Sequence, residues 1–324
     1  MSRPKFTAAE PIDRRYEVLL LFDVQHGNPN GDPDADNAPR VDPETGIGLV
    51  TDVCIKRKIR NYVGLTRGFA SPHNIFVKER GILANVQRDA HNALGIEPGG
   101  RSISQARSYM CQNYFDVRSF GAVMTTGKAE SEADAAVNAG KKAKGATKLW
   151  NCGQVRGPVQ FGFACSIDPV MSIAHTITRV ALTNATDTGQ QAVTGDDGED
   201  KAGSGQIGRK HAIPYGLYRM HGFVSPFLAE DTKFTKVDLG VLLEALEHLF
   251  DHDHSASRGE MSVRGLFLFE HDSKLGNAPS HKVLETVKIG SAKAARHFSD
   301  YEPHLQTPED GSQPLPGVTA WRYV

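Results

Sequence analysis

The sequence predicts an α+β fold built on a ferredoxin-like sheet, and three observations support this class. An apolar run at residues 15–24 is typical of a buried central strand, and a segment with helical spacing follows at residues 51–62. After Trp150 the segments alternate as strands do, around a helix at 237–250. Without two long insertions, the order is strand, helix, strand, strand, helix, strand, which is the split βαβ order.

Each element follows from hydrophobic periodicity and from capping residues. Thr51 or Asp52 can cap a helix that runs through Tyr62, with Ile55 and Ile59 on its apolar face. Further helices are predicted at 79–95, 103–113 and 237–250, and a helix or mobile loop at 132–144. Strands are predicted at 15–24, 116–124, 159–168, 175–183, 214–225, 262–271 and 281–290, and the segment 305–317 has the composition of a surface loop.

The composition limits the class of protein. The 324 residues include 37 lysines and arginines against 38 aspartates and glutamates, so a nucleic-acid site would require local clustering of charge. The longest apolar runs are too short to span a bilayer, and residues 1–15 lack the apolar segment of a signal peptide. Four cysteines lie far apart without a CxxC pair, which favours reduced thiols in a cytosolic protein.

A long loop rich in Gly, Pro, Asn and Asp separates the first strand from the first helix. Loops of this length without regular structure are usually functional. This one leads into Lys56-Arg57-Lys58-Ile59-Arg60, beside a helix N-terminus that adds positive potential and N–H groups. Asn28, Asn30 and Gly31 can bring backbone amides close to a phosphate. The region predicts an anion-binding surface, with a solvated helix face as the alternative.

An acidic motif in this loop raises the possibility of a metal site. Asp32, Asp34 and Asp36 have the one-three-five spacing of a calcium loop, but Asn37 and Pro43 stand where Gly and Glu are needed. An EF-hand is therefore excluded, and an Asx-turn loop or a nuclease metal site remains.

Three further motifs have a structural and a functional interpretation. The segment "DHDHS" (251–255) either caps the preceding helix or holds a metal. Phe161 and Phe163, two residues apart on one face of a strand, either stack bases or pack in the core. The match of "GSGQIG" (203–208) to a dinucleotide motif lacks the strand and helix that this motif requires, and its glycines instead suggest a protruding hairpin.

Four blocks together resemble a known family. They are "LFDVQHGNPNGDPDADNAPRVDPETGIGLVTDVCIKRKIRNYV", "DVRSFGAVM", "GPVQFGFACSIDPV" and "GRKHAIPYGLYRMHGFVS", and the resemblance extends from about residue 15 to 290. In combination they are similar to the backbone subunit of type I CRISPR Cascade, most of all that of subtype I-C (formerly Dvulg), a member of the RAMP superfamily.

The resemblance implies an RNA-recognition-like, ferredoxin-like palm with a large helical insertion and a protruding hairpin. It places the palm at 15–63 and 151–290, the helical fingers at 64–150, the thumb hairpin at 184–213 and a C-terminal tail at 291–324. Copies are expected to assemble head-to-tail along a guide RNA, without catalytic residues, metal or cofactor. Further expected partners are the target DNA strand paired to the guide, other Cascade subunits and, through the complex, a helicase-nuclease, all in the cytoplasm and away from membranes.

The expected RNA ligands come from the loop, the basic helix, the "DVRSFG" block and the segment after the thumb. They are Asn28, Asn30, Thr51, Lys56, Arg57, Arg60, Arg118, Phe120, Arg209, Lys210 and His211. The competing hypothesis is a RAMP-type endoribonuclease that processes CRISPR RNA, with or without a metal, in which His26, His211 or His252 would act as acid or base.

Overall fold

The computed structural model describes residues 3–96, 102–125, 150–179 and 206–324 and has the predicted α+β architecture. The helices are α1 (Asp52–Arg67), α2 (Leu83–Leu94), α3 (Ile103–Asn113), α4 (Phe115–Phe120), α5 (Pro226–Thr232), α6 (Lys236–Glu247) and α7 (Ser280–Leu284). The strands are β1 (Tyr16–Gly27), β2 (Gly31–Asp32), β3 (Ala38–Pro39), β4 (Ile47–Val50), β5 (Gly121–Met124), β6 (Gly153–Arg156), β7 (Val159–Phe161), β8 (Ala164–Pro169), β9 (Ile173–Arg179), β10 (Gln206–Val224), β11 (Glu260–His271), β12 (Lys288–Ile289), β13 (Leu305–Gln306), β14 (Ser312–Leu315) and β15 (Val318–Arg322). None of the helices in these ranges combines the length and apolar character that a membrane span requires.

One antiparallel sheet forms the centre of the fold, in the order β14-β15-β11-β1-β10-β8-β4, and β7 and β9 also pair with β10. Its middle strands occur along the chain as β1, β8, β10 and β11, with α1 after β1 and α6 before β11. This is the strand-helix-strand-strand-helix-strand order that the sequence predicts. The first strand lies between the last two, as that topology requires.

β1 is the central strand, and both of its faces are buried. Val18, Leu20 and Phe22 lie in the large cluster under α1 and α6, whereas Leu19 and Leu21 lie in a second cluster with residues of β11 and α7. Successive side chains of a strand point to opposite faces, so one apolar run serves both clusters. A shift of one residue would exchange the two sets, and packing on both faces therefore fixes the register.

α1 begins where the sequence predicts and ends later. Thr51 is its N-cap, and the Thr51 hydroxyl accepts a hydrogen bond from the Cys54 N–H at 3.3 Å. The helix continues past Tyr62 and ends at Gly68, whose φ of 65° lies in the left-handed region that glycine adopts without strain.

The insertion between α1 and β7 has an apolar core of its own. Its buried residues come from α2, α3, α4, β5, β6 and the segments beside them: Phe76, Ala90, Ala106, Met110, Cys111, Tyr114, Val117, Met124, Cys152 and Val155. The predicted helix or loop at 132–144 lies outside the described residues.

The predicted strand at 116–124 is wrong in its first half. Residues 115–120 form α4, and only β5 is extended. Every residue of α4 is buried, including Asp116 and Arg118, whose polar contacts hold the segment in place. A short run of mixed apolar residues does not distinguish the two periodicities, so tertiary contacts decide the outcome.

The predicted strand at 281–290 is also wrong, because α7 occupies its first half and only the two residues of β12 are extended. Val283, Leu284 and Val287 have the spacing of one helical face and are all buried in the cluster on the far side of β1.

The segment 305–317 is not simply a surface loop, and the last residues are not a tail. β13 pairs with β12, β14 pairs with β15, and β15 pairs along β11 in the central sheet. Val318 and Ala320 are buried among the residues of β11. The sheet therefore continues beyond residue 290.

Arg219 on β10 forms hydrogen bonds that hold α7 and the residues after it against the sheet. Its guanidinium donates to the carbonyl oxygens of Leu284 and Val287 at 2.6 and 3.0 Å, and its Nε donates to Nε2 of His221 at 2.8 Å. Burial, together with the positive charge of Arg219, lowers the pKa of His221 to about 4. The folded protein therefore holds a neutral imidazole at this position at neutral pH.

We expect His221 to make the stability of the protein depend on pH. Its pKa is about 4 in the folded protein and about 6.5 in an unfolded chain, so between these values the unfolded state binds a proton that the folded state does not. The free energy of unfolding should fall as the pH falls from about 6.5 to about 4, and His221→Gln should remove part of this dependence. Urea unfolding at about pH 7 and about pH 5 measures the effect.

His252→Gln, on an exposed turn, is the matched control and should keep the wild-type pH dependence. An identical pH dependence in wild type and His221→Gln would contradict the assignment.

Candidate nucleic-acid interface

The loop after β1 folds back onto the first turn of α1. Asn30 Oδ1 accepts hydrogen bonds from the backbone N–H and the hydroxyl of Thr51, at 2.9 and 3.0 Å. Asn28 is buried, and its side-chain amide donates to the carbonyl oxygen of Asn37 at 2.7 Å. Asn28 Oδ1 has no hydrogen-bond partner among the described residues. The three predicted ligands Asn28, Asn30 and Thr51 therefore shape the loop and its junction with the helix.

The acidic part of the loop is an Asx turn, which confirms that alternative for the "GDPDAD" motif. Asp32 Oδ1 accepts a hydrogen bond from the backbone N–H of Asp34 at 3.1 Å, and the other carboxylate oxygen of Asp32 pairs with Arg40 at 3.2 Å. Asp36 is exposed and lies 3.7 Å from Nε2 of His211, which brings the loop close to β10.

The basic face of α1 is partly used for internal ion pairs. Lys56 pairs with Asp52 on the same helix at 2.9 Å, and Arg60 pairs with Asp116 of α4 at 2.8 Å. Both cations also lie over the ring of Phe120, at 5.6 and 5.2 Å from its centroid. Only small parts of the two side chains remain exposed, 13% for Lys56 and 11% for Arg60.

Arg57 differs from Lys56 and Arg60 because no carboxylate pairs with it in the described part of the chain. Its guanidinium donates one hydrogen bond, to the carbonyl oxygen of Val77 at 2.8 Å. Of the three predicted cations on α1, Arg57 therefore keeps the most unneutralised charge.

Arg118 is not available to RNA, and its predicted role as an RNA ligand is wrong. Its Nε and one terminal nitrogen donate to the two carboxylate oxygens of Asp238 at 3.0 and 2.7 Å, and the other terminal nitrogen donates to the Cys111 carbonyl at 2.6 Å. Burial alone would raise the pKa of Asp238, but hydrogen bonds from His73 and Arg118 hold it well below its usual range. The pair joins the insertion to α6.

Phe120 is buried as well, so the structure does not present it as a stacking surface. Its ring contacts those of Phe115 and Phe161, each at a centroid distance of 6.3 Å. The prediction that Phe161 and Phe163 share a strand face is also wrong, because the strand is interrupted after Phe161. Phe161 packs in the core, and Phe163 is 55% exposed.

A two-stranded hairpin extends from the sheet, formed by β9 and the first part of β10. The predicted hairpin at 184–213 begins too late, since its first strand is β9 at Ile173–Arg179. Residues 180–205, which contain most of the predicted segment, lie outside the described residues.

The basic cluster on β10 is divided between the two faces of the hairpin. Lys210 is directly opposite His175, and Arg209 is directly opposite Thr176. Residues opposite one another share a face, whereas neighbours along a strand alternate. Lys210 and His175 therefore lie on one face, and Arg209 and His211 lie on the other, toward Asp36.

The "DHDHS" segment supports the loop after β1. The buried ammonium of Lys58 forms an ion pair with Asp253, and Arg258 pairs with the same carboxylate at 2.6 Å. A Cβ atom at Gly27 would collide with the Arg258 carbonyl oxygen, and one at Gly259 would collide with the backbone at the end of β1. Within the described ranges, no group of three His, Cys, Asp or Glu side chains is arranged to hold a metal ion.

A cleft at the base of the hairpin contains basic residues that the sequence analysis did not assign to RNA. His26, His175 and Arg296 line it together with Lys210. Of the three histidines considered as nuclease residues, only His26 is in this cleft. No local sequence pattern marks Arg296 as a binding residue, because it lies in the segment predicted as a tail and only folding brings it close to β10.

Comparison with known proteins gives consistent matches over most of the chain. A family model described as CRISPR-associated protein Cas7 matches residues 14–306. A CRISPR-associated protein Cas7 of Haloferax volcanii is 28% identical over 314 residues, which cover 94% of this chain and 78% of that protein.

Solved structures of low sequence identity also match. A chain of a CRISPR RNA-guided surveillance complex, in a pre-nicking state, is 14% identical with a TM-score of 0.48, over 88% of this chain and 84% of that one. A chain of a type III-B Cmr-beta complex bound to cognate target RNA is 10% identical with a TM-score of 0.36, over 79% and 61% of the two chains.

We expect the buried pair of Arg118 and Asp238 to be essential for stability. Arg118→Met would leave the Asp238 carboxylate buried without its partner, which should cost about 3–5 kcal/mol of unfolding free energy. The control is Arg107→Met, because Arg107 pairs with the half-exposed Asp231 and such pairs contribute about 1 kcal/mol or less. Urea unfolding compares the two, and equal losses would contradict the structural role of Arg118.

Proposed function

Because the chain belongs to the CRISPR-associated Cas7 family, we propose that it is the CRISPR RNA-binding backbone subunit of a Cascade-type surveillance complex. The observation that carries this function is the family match over residues 14–306, which takes in α1, α6, β1 and the hairpin strands. The Haloferax volcanii relative, matched over most of both chains, supports the same function. The match favours a guide-RNA subunit over the alternative of an endoribonuclease.

The RNA path that the geometry supports best runs past the loop–helix junction and the hairpin. Asn30 fixes the loop against Thr51. Arg57 has no carboxylate partner among the described residues, and Arg209 is exposed. Lys210 is half-buried on the other hairpin face. Contacts of these cations with phosphates would fix the position of the RNA without reading its sequence.

The subunit is proposed to be non-catalytic. His26, His211 and His252 belong to β1, the hairpin and the turn after α6, and no hydrogen bond within the described residues joins any two of them. Burial raises the pKa of all four cysteine thiols, to about 11 for Cys111 and about 12 for Cys152. Thiols with raised pKa values are poor nucleophiles at neutral pH.

The finer assignments rest on the sequence blocks. They are subtype I-C, head-to-tail assembly with further copies and other Cascade subunits, pairing of the guide with a target DNA strand, recruitment of a helicase-nuclease, and a cytoplasmic location. The four free cysteines fit a reducing compartment.

We expect the purified protein to bind repeat-containing CRISPR RNA and leave it intact. Labelled RNA incubated with and without Mg²⁺ should migrate as a stable complex, and the RNA recovered from it should have its original length. The affinity should fall steeply as salt increases, since phosphate contacts release counterions. Turnover of the RNA that is lost in His26→Ala or His252→Ala would show instead that the protein is a nuclease.

We expect residues 182–203, which join the two hairpin strands β9 and β10, to be necessary for cooperative coating of long RNA. Residues 182–203 can be replaced by a short Gly-Ser linker, which keeps β9 and β10. The variant should unfold at nearly the wild-type urea concentration, because the pairing of β10 with β1 is unaffected. It should lose cooperative binding to long RNA in electron micrographs and mobility shifts. Normal filaments would show that residues 182–203, which join β9 to β10, are not needed for assembly on RNA.

A further inference from the structure

The cleft at the base of the hairpin, which we call the basic cleft, is lined by basic side chains from three distant parts of the chain. His26 is the next-to-last residue of β1, His175 and Lys210 lie opposite one another on the hairpin, and Arg296 follows β12. Its volume is about 550 Å³, within the usual range of roughly 300–1,000 Å³ for ligand sites. No carboxylate lines it among the described residues. Its residue types are those that bind an anion.

Arg296 keeps free hydrogen-bond donors in this position. One terminal nitrogen donates to the carbonyl oxygens of Ala294 and Ala295, at 3.3 and 2.9 Å. Its backbone N–H donates to Asp300 at 2.8 Å. The guanidinium has no carboxylate partner in the described ranges, so Nε and the second terminal nitrogen remain available to a phosphate.

Asp168 at the end of β8 holds the segment that presents Arg296. Its carboxylate accepts hydrogen bonds from the Ser291 hydroxyl, from the Ala292 N–H at 2.9 Å and from the Tyr301 hydroxyl at 2.7 Å. These contacts lie on both sides of Arg296 in the sequence. The segment from 291 to 301 is therefore fixed against the sheet, and the position of Arg296 is set before any ligand binds.

An apolar hollow adjoins the basic cleft and shares three of its residues. The hollow has a volume of about 280 Å³, and Ile173, Pro214 and Arg296 line both cavities. Its other walls include Val170 and Met171, which is 72% exposed. Tyr215, Tyr301 and Asp168 also line it, and the Asp168 carboxylate is occupied by the hydrogen bonds described above. A flat apolar group could lie in the hollow while an attached anion lies in the cleft.

We propose that these two cavities form one nucleotide subsite for single-stranded RNA, with a phosphate in the basic cleft and the adjacent base in the apolar hollow. This proposal rests on the proposed function. It adds the segment after residue 290 to the parts of the chain that bind RNA. Arg296, at the boundary, contacts the phosphate and borders the base.

The phosphate half is tested with Arg296→Gln and Lys210→Gln in the full-length protein. Fluorescence anisotropy with single-stranded RNA over a range of salt should show roughly tenfold weaker binding for each, the effect of losing one charge-assisted contact. The slope of log affinity against log salt should fall by about 0.7 for each lost contact. Lys293→Gln is the matched control, since Lys293 is an exposed cation three residues before Arg296 that lines neither cavity.

The base half is tested with Ile173→Ala and with RNA that carries abasic sites. Wild type should bind the abasic RNA more weakly than intact RNA, and Ile173→Ala should reduce this difference without changing the salt slope. Ile177→Ala is the control, because Ile177 is exposed on the same hairpin face and lines neither cavity.

The outcomes separate the two proposals. If wild type fails to bind RNA, the proposed function and the subsite are both wrong. If wild type binds RNA but Arg296→Gln and Lys210→Gln match Lys293→Gln, only the subsite is wrong. Competition by millimolar inorganic phosphate alone, with equal affinity for intact and abasic RNA, would show a simple anion site and contradict the base half. Circular dichroism of each variant checks the fold, and Arg296→Lys should recover part of the affinity if charge is what matters.

Discussion

Two charged residues on α4 join the insertion to the two long helices, α1 and α6, that pack on the central sheet. Asp116 accepts hydrogen bonds from Arg60 of α1 and from the backbone N–H groups of Phe76 and Val77, and Arg118 pairs with Asp238 of α6. All of this lies in the interior, where a charge without its partner is strongly destabilising. The position of α1, and with it the loop that α1 holds through Thr51, depends on these contacts.

Because of these ion pairs, most basic residues of α1 and α4 do not contribute positive charge to the surface. Lys56, Arg60 and Arg118 are neutralised by carboxylates supplied by α1, α4 and α6. Lys58 is taken up by Asp253 in the turn after α6. The formal net charge of the chain is −1. Arg57, Arg209, Lys210 and Arg296 are among the described cations without a carboxylate partner, and the proposed RNA path runs past them.

Burial of both sheet faces also determines where RNA can bind. In RNA-recognition modules, bases stack on exposed aromatic residues of the sheet. Here Leu19 and Leu21 of β1 pack against α7 and the segments around it, and Tyr215 and Leu217 of β10 pack against residues of the 292–301 segment. Both faces of β1 from Tyr16 to Val24 are therefore closed to a base. The proposed RNA path accordingly lies on the exposed hairpin, the basic cleft beside it and the loop–helix junction.

The sequence by itself determined the elements whose signals are local. The apolar run of β1, the Thr51 cap and apolar face of α1, the helix α6 and the Asx turn at Asp32 depend on neighbouring residues, and all form as predicted. Four blocks of sequence were also enough to indicate the family. These properties follow from hydrophobic periodicity and side-chain capping, which act over a few residues.

Only the tertiary structure decided which charged residues face solvent and which are paired inside. Arg118 and Asp238 are 120 positions apart, and Arg296 reaches the base of the hairpin from a segment that the family resemblance places in a C-terminal tail. The register of β9 with β10 placed Lys210 opposite His175 and Arg209 opposite Thr176. Ion pairs and cavities form between residues that are close in space. Local sequence patterns do not show which distant residues will be brought together by folding.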